Sequence, residues 1–210
     1  FTVDDLVRCG TVTAAVVDAV RTALAARQTI LISGGTSTGK TTLLNALATL
    51  LPATDRIVLI EDTAELRVEH PNVVRFEARR AQRDVPAVTI RELLKATLRH
   101  RPDRIIVGEV RGGEAYDLLQ ALNTGHAGTL STIHANSAQQ ALARLTSCVL
   151  QGGVDLQLRS QHVGEICARD CEGFAIGGLS VGEPTEEMYA ACAHTAPQMP
   201  VDKARYLMGV

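Results

Sequence analysis

The sequence predicts an α/β fold: a parallel sheet with helices on both faces. Three observations carry that expectation. Short strands are apolar throughout, they alternate with helical segments, and a glycine-rich turn, GGTSTGKTT (Gly34 to Thr42), joins the first strand to the helix after it. A strand without a polar side is buried on both faces, and intervening helices supply the crossovers that parallel pairing needs.

The elements follow in order. Val12, Val16, Val20 and Leu24 recur every four residues, with alanines on the same flank, which predicts an amphipathic helix from Thr11 to near Arg27. TILIS is a short β-rich run, and TTLLNALATLL keeps helical spacing until Pro52 stops it. RIVLIE (Arg56 to Glu61) reads as a second buried strand and Val73 to Phe76 as a third. Thr89 with Glu92 forms a capping box for the helix IRELLKATLRH, which Arg101-Pro102 terminates. RIIVG (Arg104 to Gly108) is a buried strand, GGEAYDLLQALN a helix and GTLSTI (Gly128 to Ile133) a strand again. Ser137 with Gln140 forms a second capping box, for AQQALARLTSCVL. Further on, a strand near Phe174 to Ile176, a glycine loop, a helix from Thr185 to His194 and a strand ending at Val210 read as a βαβ fragment.

Composition narrows the classes. Hydrophobic residues make up 46% of the 210, ample for a core, and 21 Lys and Arg against 23 Asp and Glu leave no basic surplus to advertise a nucleic-acid partner. The five cysteines contain no CxxC pair, so reduced thiols are expected rather than a metal site. No signal peptide and no apolar run near the ~20 residues of a membrane span is visible. A cytoplasmic protein is expected, with peripheral attachment to a membrane machine compatible with it.

Gly34, Gly39, Lys40 and Thr41 match G-x-x-x-x-G-K-[ST] between a strand and a helix. Such a loop turns successive N–H groups inward and aims the positive end of a helix at the same point, making a phosphate cradle. Gly34, Gly35, Thr36, Ser37, Thr38, Gly39, Lys40, Thr41 and Thr42 are therefore the expected nucleotide-binding residues, with Lys40 on the β- and γ-phosphates and Thr41 on magnesium. Strands of parallel sheets present ligands at their carboxyl ends, where Glu109 follows the run RIIVG as the expected orienter of attacking water. Glu61, Asp62 and Glu65, in IEDTAEL, end another strand; they could hold magnesium, orient water or form a charged loop. His134, at the end of GTLSTI, could sense a γ-phosphate or serve structure.

GGTSTGKTT, IEDTAEL, RPDRIIVGEVRGGEA and TGHAGTLSTIHANS, in this order, resemble the secretion ATPases of the VirB11, TrbB and PilT type, most closely the conjugal-transfer branch, over about residues 1–150. The resemblance implies a P-loop NTPase domain of RecA-like architecture, a homo-hexameric ring, and ATP hydrolysis with Mg2+ at subunit interfaces. It also implies partners in a conjugation or pilus apparatus at the inner membrane. By match to the motifs, Gly34 to Thr42 is the Walker A loop, Glu61, Asp62 and Glu65 belong to the Asp box, Gly108 and Glu109 to the Walker B box, and Gly125 to His134 to the His box. Catalytic roles are thus implied for Lys40, Glu61, Glu65, Glu109 and His134, and magnesium ligation for Thr41 and Asp62. Arg79, Arg80, Arg99, Arg101 and Arg111 are candidates for a completing arginine. Members of the family carry an N-terminal sensor domain ahead of the region that starts here at Phe1. With the reading starting at Phe1, this domain is expected to be absent, so the expectation concerns binding by these residues alone more than turnover.

From about Val149 the tail, with VLQGGVDLQLRSQ, GFAIGGLSVGEPTEEMY and DKARYLMGV, resembles a fragment of queuine tRNA-guanine transglycosylase, a TIM-barrel enzyme. That likeness implies a base pocket at Gln151, Gly177, Gly178 and Leu179, a recombined coding sequence joined near QGGVD, and a poorly packed tail. The catalytic aspartates and the zinc cluster of those enzymes have no counterpart here, so base exchange is not expected. A domain at 1–150 and a dependent fragment at 151–210 are the expected organisation.

Overall fold

The computed structural model describes residues 1–83, 85–151, 156–168, 173–176 and 185–207. They divide into two compact units, residues 1–110 with 117–142, and residues 111–116 with 143–210.

The first unit is built on a five-stranded sheet of β1 (Ile30–Gly34), β2 (Ile57–Glu61), β3 (Val73–Glu77), β4 (Arg104–Val110) and β5 (Leu130–His134), in the order β1-β5-β4-β2-β3. Every pairing is parallel, as strands apolar throughout require. β2 is buried at all five positions, and Ile57, Ile106 and Leu130 from three strands join one core with Leu44 and Leu47. Parallel strands put all their carboxyl ends on one edge, so Gly34, Glu61, Glu77, Val110 and His134 leave the sheet on the same side.

The helices begin where local chemistry starts them. Thr13 caps α2 (Ala14–Ala25) by accepting from the Val16 N–H. α3 (Lys40–Ala48) starts directly from the glycine loop, and the reciprocal Thr89–Glu92 box opens α4 (Ile90–Thr97), followed by a short 3-10 turn at Leu98–His100. The helix expected over GGEAYDLLQALN is α5 (Glu114–Asn123). Ser137 accepts from Gln140 N at the start of α6 (Ala138–Gln151), but the Gln140 side chain reaches Asn136 N, one residue upstream of the expected partner. Val12, Val20 and Leu24 pack on the core as expected, but Val17 takes the place of Val16 there: Val17 is buried and Val16 is 50% exposed. A further helix, α1 (Val3–Arg8), was not anticipated although its signal is plain. Thr2 and Asp5 form a reciprocal capping box, and Val3 and Leu6 are buried.

At the amino edge, opposite the cradle, Arg104 is 2% exposed and its Nε donates to Asp55 at 2.6 Å. Its Nη2 donates to the Leu24 carbonyl at 2.8 Å, tying the end of α2 to β4. Gly128, at φ 87°, passes so close that a Cβ there would stand 3.0 Å from Arg104 Nη1.

The second unit holds most of the tail. α7 (Leu156–Cys167) and α8 (Thr185–Thr195) pack with a parallel pair, β6 (Gly173–Ile176) and β7 (Ala204–Leu207), so the βαβ reading of the tail is met. Val163, Phe174, Ile176, Ala191 and Met199 form its small core. Gly177, Gly178 and Leu179 lie outside the described residues, as does the side chain of Gln151. No helix among the described residues is long and apolar enough to cross a membrane.

Candidate functional site

The glycine loop folds as its sequence demands. Gly39, the residue before α3, has φ 88° and Ser37 has φ 59°, so the chain reverses through two left-handed residues before the helix starts. A side chain at Gly34 would displace Thr38, since a Cβ there would collide with Thr38 Oγ1. Thr38 Oγ1 donates to the Gly35 carbonyl at 2.9 Å and Lys40 Nζ donates to the same oxygen at 2.7 Å. The ammonium is thereby parked over the loop. The first N–H groups of α3 lack helical partners and point into the turn. This donor set fits a polyphosphate, and the hydroxyl of Thr41, at the second helical position, suits a hard divalent cation such as magnesium.

Beside the cradle is an open cavity of ≈ 420 Å³, the size of ordinary small-molecule sites. Ser33, Gly34, Thr38, Gly39, Lys40 and Thr42 line the end at the glycine loop, and Phe1, Leu6, Cys9, Thr11, Val12, Ile32 and Leu43 the remainder.

The carboxylates arrive from neighbouring strands. β4 pairs with β5 as Val107 to Ser131 and Val110 to Ile133, so it carries an extra residue at Gly108–Glu109. This bulge re-aims the strand end. The hydroxyls of Ser131 and Thr132 support it by donating to the carbonyls of Val107 and Gly108 at 2.8 and 2.7 Å. Glu109 is half-buried there. Gly108 is a close approach: a Cβ would stand 3.3 Å from Glu61 Cγ.

Glu61 itself is 5% exposed, and one oxygen accepts from the N–H groups of both Glu65 and Leu66, at 2.9 and 2.8 Å. It closes the IEDTAEL turn on itself, leaving Asp62 and Glu65 exposed. Glu77, in register with Glu61, holds the same turn through Ala64 N at 3.3 Å. Sequence reasoning missed Glu77; the signal was its position at a strand end.

His134 is in register with Gly34, since β5 pairs directly with β1, and Ala135 N donates to Gly34 O at 3.3 Å. Strand order thus sets the histidine against the first residue of the cradle. His126 precedes β5 and lies toward the other edge, with its Nδ1 buried and without a partner among the described residues. Of the candidate arginines, Arg99 and Arg101 follow α4 and lead into the start of β4, on the edge away from the cradle. Arg79 donates to the Pro86 carbonyl at 3.2 Å in a small antiparallel turn after β3.

A parallel α/β sheet with a phosphate loop on its carboxyl edge, flanked by a bulged glutamate strand, defines a P-loop nucleotide-binding protein. The type II/IV secretion system protein family model matches residues 1–169, and the chain belongs to that family. It is 46% identical over 165 residues to the conjugal transfer protein TrbB of Rhizobium radiobacter, covering 77% of this chain and 49% of that protein. It is also 46% identical over 151 residues to a putative conjugal transfer protein of Mycobacterium tuberculosis, covering 71% and 43%. Among solved structures, the VirB11 ATPase of the Brucella suis type IV secretion system, in complex with sulphate, superposes with TM-score 0.60 at 33% identity, covering 76% of this chain and 48% of that one. The ATPase DotB of Legionella pneumophila gives 0.51 at 26%, covering 62% and 37%. The chain spans about half the length of the curated relatives it matches. The family match runs to residue 169, past the join expected near QGGVD, and the transglycosylase likeness of the tail gains no support.

Proposed function

We propose that the first unit binds ATP with magnesium and hydrolyses it as part of a motor subunit of a type IV secretion or conjugal-transfer apparatus. The observation that carries this is the strand order. With β5 between β1 and β4, the cradle and the Glu109 bulge stand two strand spacings apart, about 10 Å, which is room for a γ-phosphate and an attacking water. Lys40 would exchange the Gly35 carbonyl for the β- and γ-phosphates, and the α3 N–H groups would hold the chain of phosphates in line. Glu109 would orient the water, and His134, beside Gly34, would meet the terminal phosphate. Magnesium, held by the Thr41 hydroxyl with Asp62 as the candidate carboxylate, would neutralise phosphate charge. Glu61 is then a positioning residue, holding the turn that presents Asp62 and Glu65.

The similarity to conjugal transfer proteins and a type IV secretion ATPase supports a place in such an apparatus. A homo-hexameric ring at the cytoplasmic face of the inner membrane, with other apparatus proteins as partners, is part of the same proposal. So is a role for the second unit that is structural rather than catalytic.

Hydrolysis of ATP by the parent and by Glu109→Gln tests the reading, with binding measured in parallel. Binding by both and turnover by the parent alone is expected. Turnover retained in Glu109→Gln would remove Glu109 from the mechanism, and binding without turnover in the parent would leave a nucleotide-binding module.

A further inference from the structure

The IEDTAEL turn opens the segment 62–72, which joins β2 to β3 without helix or strand of its own. Backbone groups that have no ladder to join must find other partners. Side chains supply them. The Ala64 N–H donates to Glu77 of β3, and the Glu65 and Leu66 N–H groups donate to Glu61 of β2. At the next residue the partner comes from another element: the Arg67 N–H donates to Asn45 Oδ1 at 2.9 Å, and Asn45 belongs to α3. Arg75, on β3, donates through Nη1 to the Leu66 carbonyl at 3.0 Å and through Nη2 to the Val68 carbonyl.

The side chains of the segment alternate to match. Leu66 and Val68 are buried in the core that also holds Leu44, Leu47 and Ala48 of α3, while Arg67 between them is exposed. Close-packed side chains transmit displacement rather than absorb it, so residues 66–68 follow the helix and strand that hold them. Asn45 stands five residues after Lys40 on the same helix, about 7.5 Å along its axis. Glu65 and Asp62 precede Arg67 by two and five residues. A continuous path of packed and hydrogen-bonded groups therefore runs from the helix that carries the cradle to the acidic turn.

We propose that Asn45 and Arg75 are positioning residues: they make residues 66–68 a strut that sets where Asp62 and Glu65 stand relative to the phosphates. This rests on the nucleotide reading above and adds to it how the cradle and the acidic turn are held in register. Among the described residues, neither lines the cavity beside the cradle, so they act through the backbone they hold. Removing a supporting partner of this kind lowers metal affinity or activity by about 10- to 100-fold.

ATP binding with and without magnesium, turnover, and hydrogen exchange, measured on the parent, Asn45→Ala, Asn45→Asp and Arg75→Lys, test it. Alanine suits a helix interior and aspartate keeps an oxygen acceptor of the same reach, so both variants should fold. Lysine brings one ammonium where arginine brings a fork, so it cannot hold both carbonyls. ATP affinity without magnesium reports the cradle and should stay within about twofold of the parent in every variant. The affinity gained on adding magnesium, and kcat, should each fall about 10-fold or more in Asn45→Ala and Arg75→Lys and be retained in Asn45→Asp. Exchange of the backbone amides of residues 64–67 should quicken in Asn45→Ala and not in Asn45→Asp. An unchanged magnesium gain or an unchanged kcat in Asn45→Ala would overturn the proposal. So would a loss of affinity as large without magnesium as with it, since the effect would then pass through the cradle. If Asn45→Ala does not fold, Arg75→Lys decides by the same readings. A parent that binds ATP but gains nothing from magnesium would defeat the proposal while sparing the cradle. A parent that binds no ATP would bring down the nucleotide reading itself.

Discussion

Replacing Lys40 by alanine separates what the cradle does for the fold from what it does for a ligand. In the free protein the ammonium makes a 2.7 Å hydrogen bond to the Gly35 carbonyl, in a half-buried setting. Charge-assisted bonds contribute about 1.5–3 kcal/mol when buried, and partial exposure cuts this to roughly 1 kcal/mol or less. The variant should therefore fold, with a slightly lower melting temperature. Ligand linkage is different. ATP at a hundred times Kd stabilises the parent by about 2.7 kcal/mol, or about 5–11 °C in a domain of this size. If Lys40 contributes about 3 kcal/mol to phosphate binding, its loss raises Kd roughly 150-fold. The same ATP then gives only about 0.3 kcal/mol, a shift near 1 °C. Scanning calorimetry with and without magnesium-ATP measures both quantities, read from the transition that ligand moves, since two units need not melt together. An undiminished shift in Lys40→Ala would refute the assignment of the ammonium to phosphate. A variant unfolded without ligand would refute the estimate of its structural role.

Three further outcomes are expected. Gly34→Ala forces a Cβ against Thr38 Oγ1, so urea unfolding should show about 1–3 kcal/mol of lost stability, most of it recovered in Gly34→Ala with Thr38→Ala. Arg104→Met leaves Asp55 buried beside β4 without its main partner, which should cost about 3–5 kcal/mol in the same assay, with a large part restored by adding Asp55→Ala. The backbone and hydroxyl hydrogen bonds of Thr89 hold the Glu92 carboxyl below its ordinary value of 4.5. Its folded-state value being depressed, its contribution is present above about pH 4.5 and fades as pH falls through the lower folded value. Glu92→Gln keeps the cap without the charge. The stability gap between parent and Glu92→Gln, followed by denaturant melts across pH, should close on acidification; a gap that widens would contradict the capping role.

How much was legible follows from how local each feature is. The capping boxes at Thr89–Glu92 and Thr2–Asp5 are four-residue devices, readable without tertiary knowledge, and the second went unread only because no apolar run drew attention to it. Val12, Val20 and Leu24 of the α2 face are legible from their spacing, but Val16 and Val17 are both apolar, and only the surface against which the helix packs chooses between them. Glu61 was legible as a strand-end carboxylate, but its hold on Glu65 N and Leu66 N depends on how the following turn closes.

By itself, the sequence determined the glycine loop between strand and helix and the parallel character of the sheet. A glycine loop between strand and helix carries its own donors, and strands apolar throughout can be covered only on both faces. Tertiary structure alone decided which strands are neighbours. Placing β5 between β1 and β4 put His134 beside Gly34, gave Glu109 its bulge and set the distance across the site. Pairing joins residues about a hundred positions apart, such as Ile30 and Leu130, and is chosen by the packing of the whole sheet, which no local run of residues encodes.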